Sequence, residues 1–201
     1  MKKALFVLWN ITLLSCIIIL AGSCSPSLTS QVRAMERAHN LHQLDKELSF
    51  YADDARFEMR DCNTVQGKDG LRKIFTVDVL LNNSIAFSDI SIVGNTVVCK
   101  VEEKSDMFRA LGVEKVHGRC EIVFKNGLIQ EIKGIQSAKS AQSHAELYKA
   151  DEAFSTWADK NRPEEVARLL GGKPFEGWMT PENALGWLKL AREWKKLKRT
   201  Q

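Results

Sequence analysis

The first hydrophobic feature of the chain is a nearly continuous apolar run over residues 4–20, which Lys2 and Lys3 precede. The small residues 21–23 follow this run and lead to Cys24. A basic start, an apolar stretch and a small-residue exit are typical of a secretory signal. The alternative is an anchor helix that is not cleaved, because about 20 apolar residues can span a bilayer.

The middle of the chain shows helical spacing first. Ser30 is positioned to cap a helix that carries Val32, Met35 and His39, and a second short helix is expected over about 44–51. A strand is expected over 55–60. The glycines at 67 and 70 then open an amphipathic helix with Leu71, Ile74, Phe75, Val79 and Leu80 on its apolar side.

Four strands are predicted next, over residues 85–93, 96–107, 114–125 and 128–136. Their apolar residues recur with period two, so that Cys99 lies between Val97 and Val101 on one face, and Cys120 shares a face with Ile122. Asn126-Gly127 indicates a tight hairpin. This order predicts an α+β domain, in which N-terminal helices pack on one face of a curved antiparallel sheet.

The C-terminal residues 139–201 form a helical extension by the same criterion. Helices are predicted over 145–160, from a cap at Asn161 to a stop at Gly171, and from Thr180 onward. The last one ends in a run of basic residues. We expect the tryptophans of the extension to pack it onto the domain or onto a second copy of the chain: Trp157, Trp178, Trp187 and Trp194. The alternative is that the last helix is a basic amphipathic helix that rests on a membrane surface.

Two resemblances add to this pattern. Residues 20–24, Leu-Ala-Gly-Ser-Cys, resemble the bacterial lipobox, although Ala21 stands where leucine is most frequent. This resemblance implies a signal peptide over 1–23, cleavage before Cys24, a lipid on the Cys24 thiol and a tether over 24–29. The protein is then expected at the cell membrane or outer membrane of a bacterium, on the extracytoplasmic side.

The second resemblance covers residues 30–138 and rests on four motifs in order: Tyr-Ala-Asp-Asp-Ala (51–55) after the early helices, Gly-Lys-Asp-Gly-Leu (67–71), Phe-Arg-Ala-Leu-Gly (108–112) and Phe-Lys-Asn-Gly-Leu-Ile (124–129). They resemble the nuclear transport factor 2-like superfamily, which includes ketosteroid isomerases and SnoaL-type polyketide cyclases. The resemblance implies a cone-shaped fold with a pocket inside the cone.

The resemblance also locates the pocket positions. The isomerase's oxyanion tyrosine, base and protonated aspartic acid correspond here to Met35, Met59 and Cys120. Methionine supplies neither a base nor an oxyanion donor, so isomerase chemistry of that kind is not expected. The cone is predicted to be lined by apolar or nearly apolar side chains: Met35, Phe57, Met59, Phe75, Cys99 and Cys120. Such a lining suits a lipophilic ligand, unless the side chains fill the cone completely.

His39 is the best candidate for acid–base chemistry, because it follows Met35 by one helical turn and can face the same space. A histidine packed at the rim of a helix is the alternative. The paired carboxylates Asp53 and Asp54 are interpreted as turn formers.

Composition limits the remaining classes. Without Lys2 and Lys3 the formal net charge falls from +4 to +2, which does not favour nucleic acid. Cys62, Cys99 and Cys120 show no metal-ligand spacing, so no metal or cofactor is predicted, and Cys99 and Cys120 are either small buried side chains or a pair across neighbouring strands.

The sequence therefore predicts a membrane-anchored binding or assembly module for a hydrophobic small molecule or a protein partner. A homodimer through the sheet face is a further hypothesis. The alternative function is a SnoaL-like isomerase or cyclase with His39 as acid or base.

Overall fold

The computed structural model describes residues 26–58, 64–171 and 179–198. The predicted signal peptide, Cys24, Met59, Cys62 and Trp178 lie outside the described residues. Within them, no helix has the length and apolar character that crossing a membrane requires.

The first part of the described chain alternates helices with strands. Its elements are α1 (Leu28–Asn40), α2 (Leu44–Leu48), β1 (Tyr51–Glu58), β2 (Val65–Gln66), α3 (Gly67–Leu80), β3 (Ser84–Val93), β4 (Thr96–Lys104), α4 (Asp106–Leu111), β5 (Val116–Lys125) and β6 (Leu128–Gly134). Three further helices follow: α5 (Ala138–Asn161), α6 (Pro163–Leu170) and α7 (Ala184–Lys198).

The strands form one six-stranded sheet in the order β2-β1-β6-β5-β4-β3. All pairings are antiparallel except that of β1 with β6, which is parallel, so the sheet is mixed. The turn at Asn126 and Gly127, both with positive φ, joins β5 to β6 as predicted. The α+β cone with helices on a curved sheet is confirmed, and the parallel pair is the one departure from the predicted antiparallel arrangement.

Several predicted boundaries are wrong, each for a local reason. Helix α1 begins at Leu28, inside the predicted tether, because the Ser27 hydroxyl, and not that of Ser30, accepts the capping bond. Strand β4 ends at Lys104, because Ser105 caps α4. Helix α5 starts at Ala138 and not at 145, because Ser137 and Ser140 form a reciprocal capping box.

The ends of the C-terminal helices also differ from prediction. Asn161 is the last residue of α5, and Arg162 occupies the cap position of α6. Gly171 ends α6 in the left-handed conformation, as expected. Residues 181–183 form a turn in which the Asn183 side chain accepts from the Thr180 amide, so α7 begins at Ala184.

Two hydrophobic clusters organise the described chain. The cone cluster joins α1, α3 and the inner face of the sheet, and its fully buried members include Val32, Leu71, Val97, Ile122 and Ile129. The tail cluster joins α4 through Met107, Ala110 and Leu111 to Phe154 of α5 and to α6 and α7.

The tryptophans of α7 belong to the tail cluster. Trp187 and Trp194 are buried, and both rings contact Phe154. Arg192 also pairs with Asp106 at 2.8 Å, which ties α7 to α4. The predicted packing of the extension onto the domain is confirmed. The Trp194 ring faces the protein interior, and the membrane-surface alternative for the basic end of α7 stays a hypothesis.

Candidate functional site

The predicted cone lining comes together in the cone cluster. Met35 and Cys99 are 1% exposed, Phe75 is 4% and Cys120 is 7%. Phe57 is partly buried against the same cluster, where it pairs in register with Val65 and Ile132. Met59 follows β1 directly and lies outside the described residues. Five of the six lining positions therefore belong to one apolar interior.

The two described cysteines face each other inside the cone. Cys99 on β4 is the register partner of Cys120 on β5, and the two Sγ atoms lie 3.5 Å apart and share a hydrogen bond. Both are free thiols. Their burial agrees with the small-hydrophobe interpretation, whereas their position opposite each other agrees with a pair.

His39 is a buried histidine that pairs with a buried glutamate. It is 5% exposed, and its Nδ1 lies 3.0 Å from Oε1 of Glu47, which is itself 3% exposed. Because a carboxylate oxygen only accepts hydrogen bonds, Nδ1 carries the proton and donates a hydrogen bond to Glu47. The imidazole ring also meets Phe75 edge to face, with 6.4 Å between ring centroids. Glu47 thus fixes the orientation of the His39 ring at the border of the apolar cone.

The other ring nitrogen of His39 is the exceptional atom. Nε2 is buried and has no hydrogen-bond partner within the described residues. A buried polar atom without a partner costs about 1–3 kcal/mol, so native proteins almost always satisfy such atoms. With Nδ1 protonated, Nε2 accepts a hydrogen bond when the ring is neutral and donates one when the ring is charged. It is therefore suited to either a hydroxyl or a carbonyl group.

Further polar side chains lie close to this pair. The Asn83 amide group donates to Asp78 Oδ1 at 2.9 Å and to Glu103 Oε1 at 2.8 Å. Asn83 is buried, and its Oδ1 also has no hydrogen-bond partner among the described residues. We call His39, Glu47, Asp78, Asn83 and Glu103 the polar cluster. It is formed by the ends of α1, α3 and β4 together with α2 and the residue before β3.

The polar cluster shifts the titration of its members. Burial lowers the pKa of His39, but the hydrogen bond to Glu47 and the charges of Glu47, Asp78 and Glu103 outweigh it and raise the pKa above its ordinary value. Asp78 is half-buried as a residue, yet desolvation of its carboxyl group, with the nearby Glu103, raises its pKa to about 7. Asp78 therefore titrates near neutral pH, whereas His39 keeps its proton to a higher pH than an ordinary histidine.

Tyr51 connects the polar cluster with the cone lining. Its ring packs on Phe75 at 5.4 Å between centroids. Burial, followed by the nearby Glu47 and Cys120, raises the pKa of its hydroxyl well above the ordinary value. The Tyr51 side chain is thus close to both the His39–Glu47 pair and the Cys99–Cys120 pair.

Sequence reasoning found His39 but missed its partners. Glu47 belongs to a short helix with three charged residues, and Asp78 lies on a helix of which the sequence pattern assigns only the apolar side. A glutamate eight residues after a histidine gives no periodic signal, because the turn between α1 and α2 brings them together. Asp53 and Asp54 form no turn: they are exposed residues of β1, where Asp53 pairs with Lys68 and Asp54 accepts from Gln130.

A second concave feature lies outside the cone. A groove of about 650 Å³ runs between α5 and the segment from α4 into β5, and none of the predicted lining residues borders it. Its ionic side chains are Glu114, Lys115, His117, Lys139, Glu146, Lys149 and Lys198. Lys115 is paired with Glu102 at 2.7 Å, and positive neighbours and partial burial lower the pKa of His117. The described residues contain no group of His, Cys, Asp and Glu side chains that could hold a metal ion.

The outward face of the sheet is charged where β4 meets β5. Lys100 lies opposite Arg119, and Glu102 lies opposite His117. Lys100 and Glu102 also pair with Asp89 and Lys115, respectively. The homodimer through this face stays a prediction.

No protein-family model and no curated protein matches the chain. Solved structures do. An epoxide hydrolase/cyclase-like enzyme, SalBIII, from pyran ring formation in the polyether salinomycin, has a TM-score of 0.50 at 14% identity over 56% of this chain and 92% of its own.

Two bacterial proteins are similar as well. An uncharacterised cystatin-fold protein from Novosphingobium aromaticivorans has a TM-score of 0.46 at 20% identity, covering 53% of this chain and 95% of its own. A nuclear transport factor 2-like protein of unknown function from Cytophaga hutchinsonii has a TM-score of 0.47 at 9% identity, covering 58% and 95%. At these identities the likeness concerns fold alone. The described chain has a cone-shaped α+β fold similar to that of the epoxide hydrolase/cyclase-like enzyme, with a helical C-terminal extension.

Proposed function

We propose that the cone binds a lipophilic small molecule that carries a polar oxygen, and that Nε2 of His39 forms the hydrogen bond to that oxygen. One observation carries the proposal. Nε2 of His39 is buried and has no hydrogen-bond partner among the described residues, and Glu47 holds the ring in place through Nδ1. The apolar surroundings supply the affinity for the rest of the molecule, since ligand sites are mostly apolar with a few placed polar groups.

The location is part of the same proposal. The sequence of residues 1–24 supports export and a lipid on Cys24, which would hold the cone next to a membrane where lipophilic molecules partition. Labelling with radioactive palmitate tests the anchor: the wild-type chain is expected to take up label and Cys24→Ala is not. Label on the Cys24→Ala chain would show that the lipid is attached to another residue, which contradicts the proposed anchor.

Binding is tested on the full chain purified in mild detergent from its own membrane. Native mass spectrometry is expected to show one small molecule per chain in the wild type, and strongly reduced occupancy in His39→Phe, which keeps an aromatic ring but removes Nε2. His144→Phe is the matched control, because His144 lies on α5 and bonds to the Ser140 carbonyl outside the cone. Equal occupancy in wild type and His39→Phe, or an empty wild type, would refute the proposal.

A second function is favoured by the titration of the polar cluster. A histidine oriented by a carboxylate, with a carboxyl group of pKa about 7 nearby, is suited to general acid–base catalysis near neutral pH. The proposal in this form is a SnoaL-like isomerisation or cyclisation of the bound molecule, with His39 as the group that moves the proton. It predicts that the molecule released from His39→Gln differs in structure, at equal mass, from that released from wild type. Identical molecules from both would leave the binding function alone.

A further inference from the structure

The pairing geometry of Cys99 and Cys120 has a chemical consequence. Opposite residues of an antiparallel pair have Cα atoms about 4.5–5.5 Å apart, and disulfides need about 4.4–6.8 Å. The Sγ atoms, at 3.5 Å, are about 1.5 Å from disulfide bonding distance. Rotation of the two side chains can close that gap without moving either strand.

Strand register supports the pairing as well, while Cys62 lies outside the described residues. Cys99 and Cys120 occupy the same rung of the β4–β5 ladder, in which eight consecutive residues of each strand are paired without a shift. This ladder keeps the two side chains opposite each other in the folded protein.

The two thiols also differ in reactivity. The hydrogen bond between the two sulfurs lowers the pKa of Cys99 and, together with burial, raises the pKa of Cys120. Cys99 is thus the sulfur that becomes a thiolate first, and thiolates are the species that attack disulfides.

We propose that Cys99 and Cys120 are a modification site, at which a disulfide forms across strands β4 and β5 when the chain meets a disulfide oxidant outside the cytoplasm. The Cys99 thiolate attacks one sulfur of the oxidant disulfide and releases the other as a thiol. The Cys120 thiol then loses its proton, attacks the Cys99 sulfur of the mixed disulfide and releases the second oxidant thiol. Two protein thiols are oxidised and one oxidant disulfide is reduced.

The setting of this reaction rests on the export part of the proposed function, because disulfides persist in oxidising compartments. The reaction does not rest on ligand binding. Its structural effect is to join two strands of the cone lining beside Tyr51, with no ionisable thiol left in that lining.

The test is a peptide map of the full chain. Cells are quenched in acid, thiols are blocked with N-ethylmaleimide in denaturant, and the purified protein is digested with trypsin without reduction. The expected product is peptide 74–100 joined to peptide 120–125. A link from either peptide to 61–68, which contains Cys62, would overturn the proposal.

A second arm separates pairing from location. The purified full chain is reduced in denaturant, refolded in the presence of oxidised glutathione and mapped in the same way, because both thiols are buried in the folded chain. If the 74–100 to 120–125 link forms here while Cys24 takes up no lipid label, the pairing stands and the export proposal fails. If Cys99 and Cys120 both carry N-ethylmaleimide after this treatment, the pairing is refuted.

Thermal unfolding with and without reductant tests the disulfide independently of the peptide map. Dithiothreitol is expected to lower the Tm of the oxidised wild type and of Cys62→Ser by about 10 °C. It should leave the Tm of the Cys99→Ala/Cys120→Ala double variant unchanged. Should the double variant not fold, the comparison of wild type with Cys62→Ser still decides the matter, because an equal Tm with and without reductant in both contradicts a bond between Cys99 and Cys120.

Discussion

The two hydrophobic clusters of the described chain differ in the polar residues at their borders. The tail cluster consists of apolar side chains (tryptophan, phenylalanine, leucine, alanine, valine and methionine), and the rings of Trp187 and Trp194 pack on that of Phe154. The cone cluster is bordered by a buried histidine and a buried glutamate, and it contains two cysteines.

This difference separates packing from chemistry. Apolar side chains dominate the contact of α7 with α4, beside the Arg192–Asp106 pair, so we attribute stability to the tail cluster. Stability alone does not explain a desolvated His39–Glu47 pair, because replacing such a pair by apolar residues of similar volume often leaves a protein equally stable or more stable. The polar groups of the cone are therefore the part of the interior to which a ligand function is attributed.

The largest effect is expected in the tail. Trp194→Ala should lower the free energy of unfolding by about 4 kcal/mol, because it leaves a cavity against Phe154. Urea unfolding measures it, and Leu185→Ala on the same helix is the control, since Leu185 is 54% exposed and should change stability by less than about 0.5 kcal/mol. The folded fraction of Trp194→Ala should still bind the small molecule. Loss of binding in that fraction would contradict the separate roles of the two clusters.

The next largest effect is expected at the buried pair. Glu47→Ala should cost about 3 kcal/mol, because it leaves His39 buried without either partner. The double variant Glu47→Leu/His39→Phe should recover most of that loss. Urea unfolding of the single and double variants gives the coupling. Additive losses would mean that the two side chains do not act as a pair.

A smaller effect depends on pH. Asp78 has a pKa of about 7 in the folded chain and an ordinary value of 3.8 when unfolded, so the folded chain holds a proton that the unfolded chain loses between about pH 4 and 7. Its contribution to stability is present at pH 4 and is lost as the pH rises through 7. The raised pKa of His39 acts in the same direction, with its contribution lost above its ordinary 6.5.

Asp78→Asn should therefore match wild type at pH 4 and exceed it at pH 8 by about 1–2 kcal/mol. Unfolding in urea at both pH values measures the difference. Asp45→Asn serves as the control, because the Asp45 side chain is 87% exposed and pairs only with Arg72 among the described residues. A parallel pH dependence in wild type and Asp78→Asn would contradict the assigned titration.

The smallest effect concerns the start of the extension. Ser137→Ala removes half of the capping box of α5 and should cost about 1 kcal/mol. Circular dichroism during urea unfolding measures it, with Ser155→Ala in the middle of α5 as the control. A cost below about 0.3 kcal/mol would mean that the packing of Phe154 alone fixes this helix.

Local patterns were enough to predict an α+β domain with helices on one face of a sheet, whereas the cone shape was implied by the family resemblance. Period-two alternation around Cys99 and Cys120, the Asn126-Gly127 turn and the spacing of Leu71 and Phe75 each follow from backbone geometry that acts over a few residues. Helix starts were less predictable, because Ser27, Ser105 and Ser137 compete with neighbouring polar residues that read equally well as caps. The parallel β1–β6 pair joins residues far apart in sequence and leaves no local signal.

The candidate site shows the same limit. His39 was predicted from helical spacing, whereas Glu47, Asp78, Asn83 and Glu103 meet it only through tertiary structure. The Cys99–Cys120 pairing depended on two strands being neighbours in the correct register, which alternation alone does not determine.

The most direct test of the account is the ¹⁵N resonance of His39 Nε2 in the histidine-labelled full chain, assigned with His39→Gln. We compare the protein as purified from its membrane with the same protein after detergent extraction of the bound molecule and again after adding that molecule back. The account predicts that the Nε2 signal shifts and returns while the Nδ1 signal, bonded to Glu47, moves much less. An Nε2 signal that is the same in all three states would contradict the account.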